Sequence, residues 1–87
     1  MKNKPYKDHN KNTRQFDYTE LKSRILFRFG TQKAFAEYLG ISPNSLTRKL
    51  ENKNYFTQEE IAKTLDKLAI TSYFETISLF FKDKKVE

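Results

Sequence analysis

From Tyr18 onward, short apolar stripes at three- and four-residue steps alternate with breaks made of Gly, Ser, Pro and Asn. Tyr18, Leu21, Ile25 and Phe29 make the first stripe. Asp17 stands where a side-chain acceptor starts a helix and Gly30 where a left-handed residue ends one, so the pattern predicts a helix ending at Phe29. Thr31 can cap a second, two-turn helix that buries Phe35, Ala36 and Leu39 and stops at Gly40. Ser42 is a good N-cap and Pro43 suits a first helical position, where its missing N–H is not needed. The chain therefore restarts after about three residues as a helix over 43–51 with Leu46 and Leu50 inward. Thr57-Gln58-Glu59-Glu60 has capping-box spacing and opens a helix whose apolar face is Ile61, Leu65 and Leu68 with Ala62 and Ala69. Finally, Thr71 or Ser72 caps a fifth helix burying Phe74, Ile77 and Phe81, although the stretch from Thr76 to Phe81 also fits a short strand; the helical reading is preferred. The expected architecture is all-α, a compact four- or five-helix domain.

Composition sets the limits. A chain of 87 residues supports one small core, burying about 60% of the surface its unfolded form exposes. Residues 1–16 are Lys- and Asn-rich with little apolar content and are expected to be a disordered basic arm, 17–82 the folded domain, and 83–87 a tail. His9, the single histidine, lies in the arm with no second ligand nearby. With no cysteine, neither a disulfide framework nor a thiolate metal site is available; no metal or cofactor is expected. No apolar run approaches the ~18 residues that cross a bilayer, and the first residues do not resemble a signal peptide, so a soluble, cytoplasmic protein without membrane contact is expected. The net charge of +6 is uneven: +4 over 1–16, +2 over 17–51 and zero over 52–87. A basic first half favours a polyanionic partner.

The two short helices around Gly40 have helix-turn-helix spacing, the arrangement in which the second helix can enter a DNA major groove. If Leu46 and Leu50 point inward, Asn44, Ser45, Thr47 and Arg48 lie on the outer face. These are mediocre helix formers apart from Arg48, but Asn suits the adenine edge, Arg the guanine edge, and Ser or Thr either. No acidic residue precedes Glu51 in that helix. Gln32 at the start of the preceding helix, with its free backbone N–H groups, suits a phosphate, and Thr31, Lys33, Lys49, Asn52, Lys53 and Asn54 surround it as further phosphate candidates. In the arm, Lys4, Lys7, Lys11 and Arg14 either track the DNA backbone or enter a minor groove beside the major-groove contact, or only aid solubility.

The stretch from Tyr18 to about Ile70, and especially GTQKAFAEYLGISPNSLTRKLENK followed by FTQEEIAKTLDKL, resembles the Cro/repressor-type helix-turn-helix domains of temperate phages, above all small Cro-like proteins from phages of low-GC Gram-positive bacteria. The resemblance implies a DNA-binding regulator of a bacterial host's prophage, with Gln32 on a phosphate and Ser42, Asn44, Ser45 and Arg48 facing bases. Lys49 departs from the family, which often has an aliphatic residue there, and leaves the rotation of the helix open between Arg48 and Lys49. Pro43 stands where some relatives carry a base-reading glutamine.

One reading helix is seldom specific enough alone, so a homodimer over two half-sites of a double-stranded DNA operator is expected. Tyr73, Phe74, Ile77, Phe80 and Phe81 exceed what a small core can hold and are the expected dimer interface, with the last two phenylalanines the more exposed. The competing reading is an antirepressor- or antitoxin-like protein that grips a second phage regulator through the same aromatics. An enzyme is not expected. There is no Cys/His pair, metal spacing or glycine-rich phosphate loop, and the helix dipole accounts for Glu59 and Glu60.

Overall fold

Side-chain caps set where the helices begin. Thr31 Oγ1 accepts from the Ala34 N–H, Ser42 Oγ from Ser45, Thr57 Oγ1 from Glu60 and Ser72 Oγ from Glu75. At Thr57 the capping box is complete, because Glu60 Oε1 accepts in turn from the Thr57 N–H. In the computed structural model, which describes residues 14–84, these starts give five α-helices and no strand among the described residues. They are α1 (Thr19–Phe29), α2 (Gln32–Leu39), α3 (Pro43–Leu50), α4 (Gln58–Lys67) and α5 (Tyr73–Phe80). The last segment is thus helical and Ser72, not Thr71, caps it. At α1 the Asp17 carboxylate accepts from the Thr19 N–H at 2.9 Å, and the hydrogen bonds from Thr19 hold its pKa below the ordinary Asp value.

Three helices end in one way. At Gly40, Asn52 and Ala69 the backbone turns left-handed, and the next residue's N–H reaches back five positions: Ile41 to Ala36 O, Lys53 to Arg48 O, Ile70 to Leu65 O. Gly40 adopts this conformation freely and Asn52 tolerates it. Ala69 holds it at a cost of about 1 kcal/mol.

α1 packs on α2 and α5, and α2 packs on α3 and α4. Leu21, Ile25, Phe35, Ala36, Leu46, Leu79 and Phe80 are fully buried where these faces meet, with Tyr18, Leu39, Leu50 and Phe56 around them. Phe56, in the loop after α3, joins the outer elements: its ring sits edge-on to Tyr18 and to Phe80, at 5.4 Å from each. Of the face expected for α4, Ile61, Leu65 and Leu68 are half-buried and pack against the core, whereas Ala62 and Ala69 are exposed and the fully buried position is Thr64. Its hydroxyl is satisfied by donating to Glu60 O at 2.7 Å, so the helix carries a polar side chain into the core without an orphaned group.

The two ends of the described segment, residues 15–17 and 82–84, are paired. Phe16 and Asp83 form an antiparallel bridge, with Asp17 N–H donating to Lys82 O and Lys84 N–H to Gln15 O. The Arg14 guanidinium holds the Asp83 carboxylate in a fork at 2.7 and 2.8 Å, and the Phe16 ring lies edge-on to Phe81. Residues 14–16, Asp83 and Lys84 are thus held by hydrogen bonds within the described structure, where the sequence pattern places 1–16 in an arm and 83–87 in a tail.

Burial pushes the Tyr18 hydroxyl up to about 12. An unfolded tyrosine ionises near 10, so between about pH 10 and pH 12 the unfolded chain loses its proton first. Stability is intact below that window and falls across it, by roughly 2–3 kcal/mol at its upper end. Thermal unfolding followed from about pH 8 to 12 should show a flat Tm and then this decline, and Tyr18→Phe should reduce the Tyr18-dependent share of it.

Candidate nucleic-acid interface

Leu46 and Leu50 are buried, and this fixes the rotation of α3. Asn44 and Arg48 project from the opposite side, with Thr47 beside them and Ser42 exposed at the helix start. The side chains of Asn44 and Arg48 engage no partner among the described residues and are free to meet a ligand. Ser42 and Ser45 are tied to each other at 3.0 Å, and the Thr47 hydroxyl donates to Pro43 O, so these three are partly occupied by capping and helix backbone. No acidic side chain lies within α3; Glu51 follows it and pairs with Lys53 at 3.3 Å.

The question between Arg48 and Lys49 is answered by α4. Lys49 Nζ reaches inward to Glu60 Oε1 at 2.8 Å and Tyr55 O at 3.3 Å, over the Phe56 ring, and both charged side chains are 12% exposed. Lys49 is thus a bond between α3 and the start of α4 and is withdrawn from the phosphate candidates. A long side chain can take the place of an aliphatic one because its methylenes pack while its ammonium finds a carboxylate.

Asn52 is corrected for a similar reason. Its carboxamide accepts from the Phe16 N–H at 2.8 Å and donates to Phe16 O at 2.9 Å. Sequence reasoning could not find this, because the partner lies 36 residues away. Of the other phosphate candidates, Lys33, Lys53, Asn54 and the capping Thr31 are exposed, and Gln32 is half-buried at the first position of α2. Arg14 is held by Asp83. Lys4, Lys7 and Lys11 lie outside the described residues.

A second surface is apolar. Phe74 is 82% exposed and Tyr73 79%, with Ile77 and Phe81 partly open on the same side of α5. Phe74, Ile77 and Phe81 have ideal spacing for an inward stripe, and the sequence pattern predicts their burial in a fifth helix; they face outward instead. The adjacent pair Leu79 and Phe80 meets the core. Phe80, 1% exposed, is therefore removed from the expected dimer interface. The Arg24–Glu75 ion pair, 2.8 Å, fixes this rotation by tying α5 to α1. One turn beyond Arg24 stands Phe27, 90% exposed, which sequence reasoning missed; its only signal is a large apolar residue off the Leu21–Ile25 stripe.

No described helix is long and apolar enough to cross a membrane, and among the described residues no group of three His, Cys, Asp or Glu could hold a metal.

Residues 14–84 match the model of a family described as "Protein of unknown function (DUF739)". No curated protein matches the chain. Among solved structures, the fold is similar to the solution structure of the modulator of repression of the temperate bacteriophage TP901-1 from Lactococcus lactis: TM-score 0.62, 30% identity, covering 76% of this chain and 88% of that one.

Proposed function

We propose, for a chain that belongs to the DUF739 family, that it is a phage regulator acting at the level of repression, without catalytic activity, and that it binds double-stranded operator DNA by laying α3 in the major groove. The observation that carries this reading is the outer face of α3. Asn44 and Arg48 stand exposed and unengaged among the described residues, no acid lies in the helix, and Lys33 and Lys53 flank it. An exposed face selected only for helix stability would carry Ala, Glu, Lys or Gln; these side chains suit base edges. Phosphates would meet Gln32, the α2 N-terminus, Lys33, Lys53 and Asn54. The likeness to a modulator of repression supports a regulatory role at a phage switch.

A second reading has its own observation, the aromatic face of α5. Outward Phe74 and Tyr73, with Ile77 and Phe81 partly open beside them, form an exposed apolar face of the kind that marks an interaction site. They suit either a second copy, which would set two α3 helices over an inverted repeat, or another phage regulator gripped directly.

Selection of bound sequences from random duplex DNA at two salt concentrations tests the proposal. An inverted-repeat motif with steep salt dependence is the expected outcome. Recovery of no motif, together with co-purification of a phage repressor that is lost on Phe74→Ala, would replace the DNA reading with the protein-gripping one.

A further inference from the structure

One carboxylate oxygen joins three parts of the chain. Glu60 Oε1 accepts from the Thr57 N–H at 2.9 Å, completing the cap of α4, and from Lys49 Nζ at 2.8 Å. The same ammonium donates to Tyr55 O at 3.3 Å and lies 5.9 Å from the centre of the Phe56 ring. The loop between α3 and α4 is therefore held at both ends. At its start the Asn52 carboxamide is bound to the Phe16 N–H and carbonyl; at its end Tyr55 O is bound to Lys49, and Phe56 is buried in the core. Only Lys53 and Asn54 lie between these anchors, and both are exposed. The Lys53 N–H, closing onto Arg48 O at 2.8 Å, keeps this two-residue tip against the last turn of α3. An ion pair as buried as Lys49–Glu60 adds little net stability, because desolvation of both charges offsets their attraction; what it fixes is geometry.

We infer that Lys49 is a positioning residue: through Tyr55 and Glu60 it holds the Lys53–Asn54 tip in one place beside α3, so that the Lys53 ammonium meets a DNA phosphate at the edge of the groove that Asn44 and Arg48 read. This inference rests on the DNA reading above. An aliphatic residue at 49 fills the space between α3 and Phe56 but leaves Tyr55 O and Glu60 without the donor that ties the loop to the helix. A tip ordered before binding loses less entropy when it closes on a phosphate. The exposed Lys53–Glu51 pair, 3.3 Å, is only a weak competitor for that ammonium.

The test separates the bond from the fold. Lys49→Met/Glu60→Gln keeps an unbranched apolar stem at 49 and an acceptor for the Thr57 N–H, since glutamine also serves a capping box, and it leaves no unpaired charge. This double variant is expected to melt within a few degrees of the natural chain. In the free protein, the backbone order parameters of Lys53 and Asn54, read by nuclear relaxation of their amides, should fall from about 0.85, a rigid backbone, to below about 0.6. With the duplex recovered by selection, Lys53→Gln is expected to lower the slope of log K against log salt by about 0.9 in the natural chain, one phosphate no longer neutralised. In the double variant the same change should lower it by less than about half as much, the departure from additivity that marks coupled sites. If the double variant is unfolded, Glu60→Gln alone weakens the bond and is read in the same way. Unchanged order at Lys53 and Asn54 in a folded variant, or an equal Lys53 effect in both backgrounds, overturns this inference and leaves the DNA reading standing. So does a slope indifferent to Lys53 while Arg48→Ala abolishes specific binding. Absence of duplex binding by the natural chain overturns both readings.

Discussion

On the proposed DNA reading, alanine at both Asn44 and Arg48 is expected to lower affinity for the selected operator about a thousandfold while the domain stays folded. Each side chain that pairs with a base edge through two hydrogen bonds discriminates by roughly 1–3 kcal/mol, so the pair together is worth about 4 kcal/mol. Neither residue holds the fold. Both are exposed on the side of α3 opposite Leu46 and Leu50, and alanine is at least as good a helix former as either. A gel-shift or fluorescence titration at fixed salt, beside a thermal melt, separates the two effects. Lys49→Ala should give the reverse signature: it breaks the bond to Glu60 and costs stability, with little direct effect on base readout. If the double variant bound the operator as the natural chain does, α3 would not be the reading element.

Phe80→Ala should lose roughly 3–5 kcal/mol of stability, a large part of what a domain of this size possesses. The ring is enclosed by Phe56 and Phe81 and lies within the core that α1 and α5 share, so its removal leaves a cavity under several elements. Phe74→Ala, six residues earlier, should leave the Tm within a few degrees, because that ring is 82% exposed. Its expected effect is on association, read by sedimentation or light scattering of the protein alone and with a candidate repressor. The two variants together tell a folding aromatic from a binding one.

The local grammar of the chain is readable, and its long-range pairings are not. Thr31, Ser42, Thr57 and Ser72 announce helix starts because a short side-chain oxygen satisfies an N–H three residues ahead, a relation contained within one turn of sequence. Gly30 and Gly40 announce stops for an equally local reason. The exposure of Asn44 and Arg48 follows from the Leu46–Leu50 stripe, since burial of one helix face dictates the other. By contrast, Arg14 with Asp83, Phe16 with Asn52 and Lys49 with Glu60 join residues whose meeting depends on the tertiary fold. The aromatic run at the end misleads for a related reason. Phe74, Ile77 and Phe81 satisfy helical periodicity as well as Leu79 and Phe80 satisfy burial, and periodicity defines a face without saying whether that face meets the core or a partner. The choice is made by Arg24 on α1 and Phe56 in a distant loop.

The three left-handed helix exits differ only in the residue that occupies them, and the least suited, Ala69, lies on the short link between α4 and α5. A glycine there would relax without penalty; an alanine keeps a small store of tension in the link. The strain acts on the link and not on the seat of α5, which Leu79, Phe80 and the Arg24–Glu75 pair keep in the core, so exchanging Ala69 for glycine should change the stability of the whole domain without freeing the helix that carries Phe74.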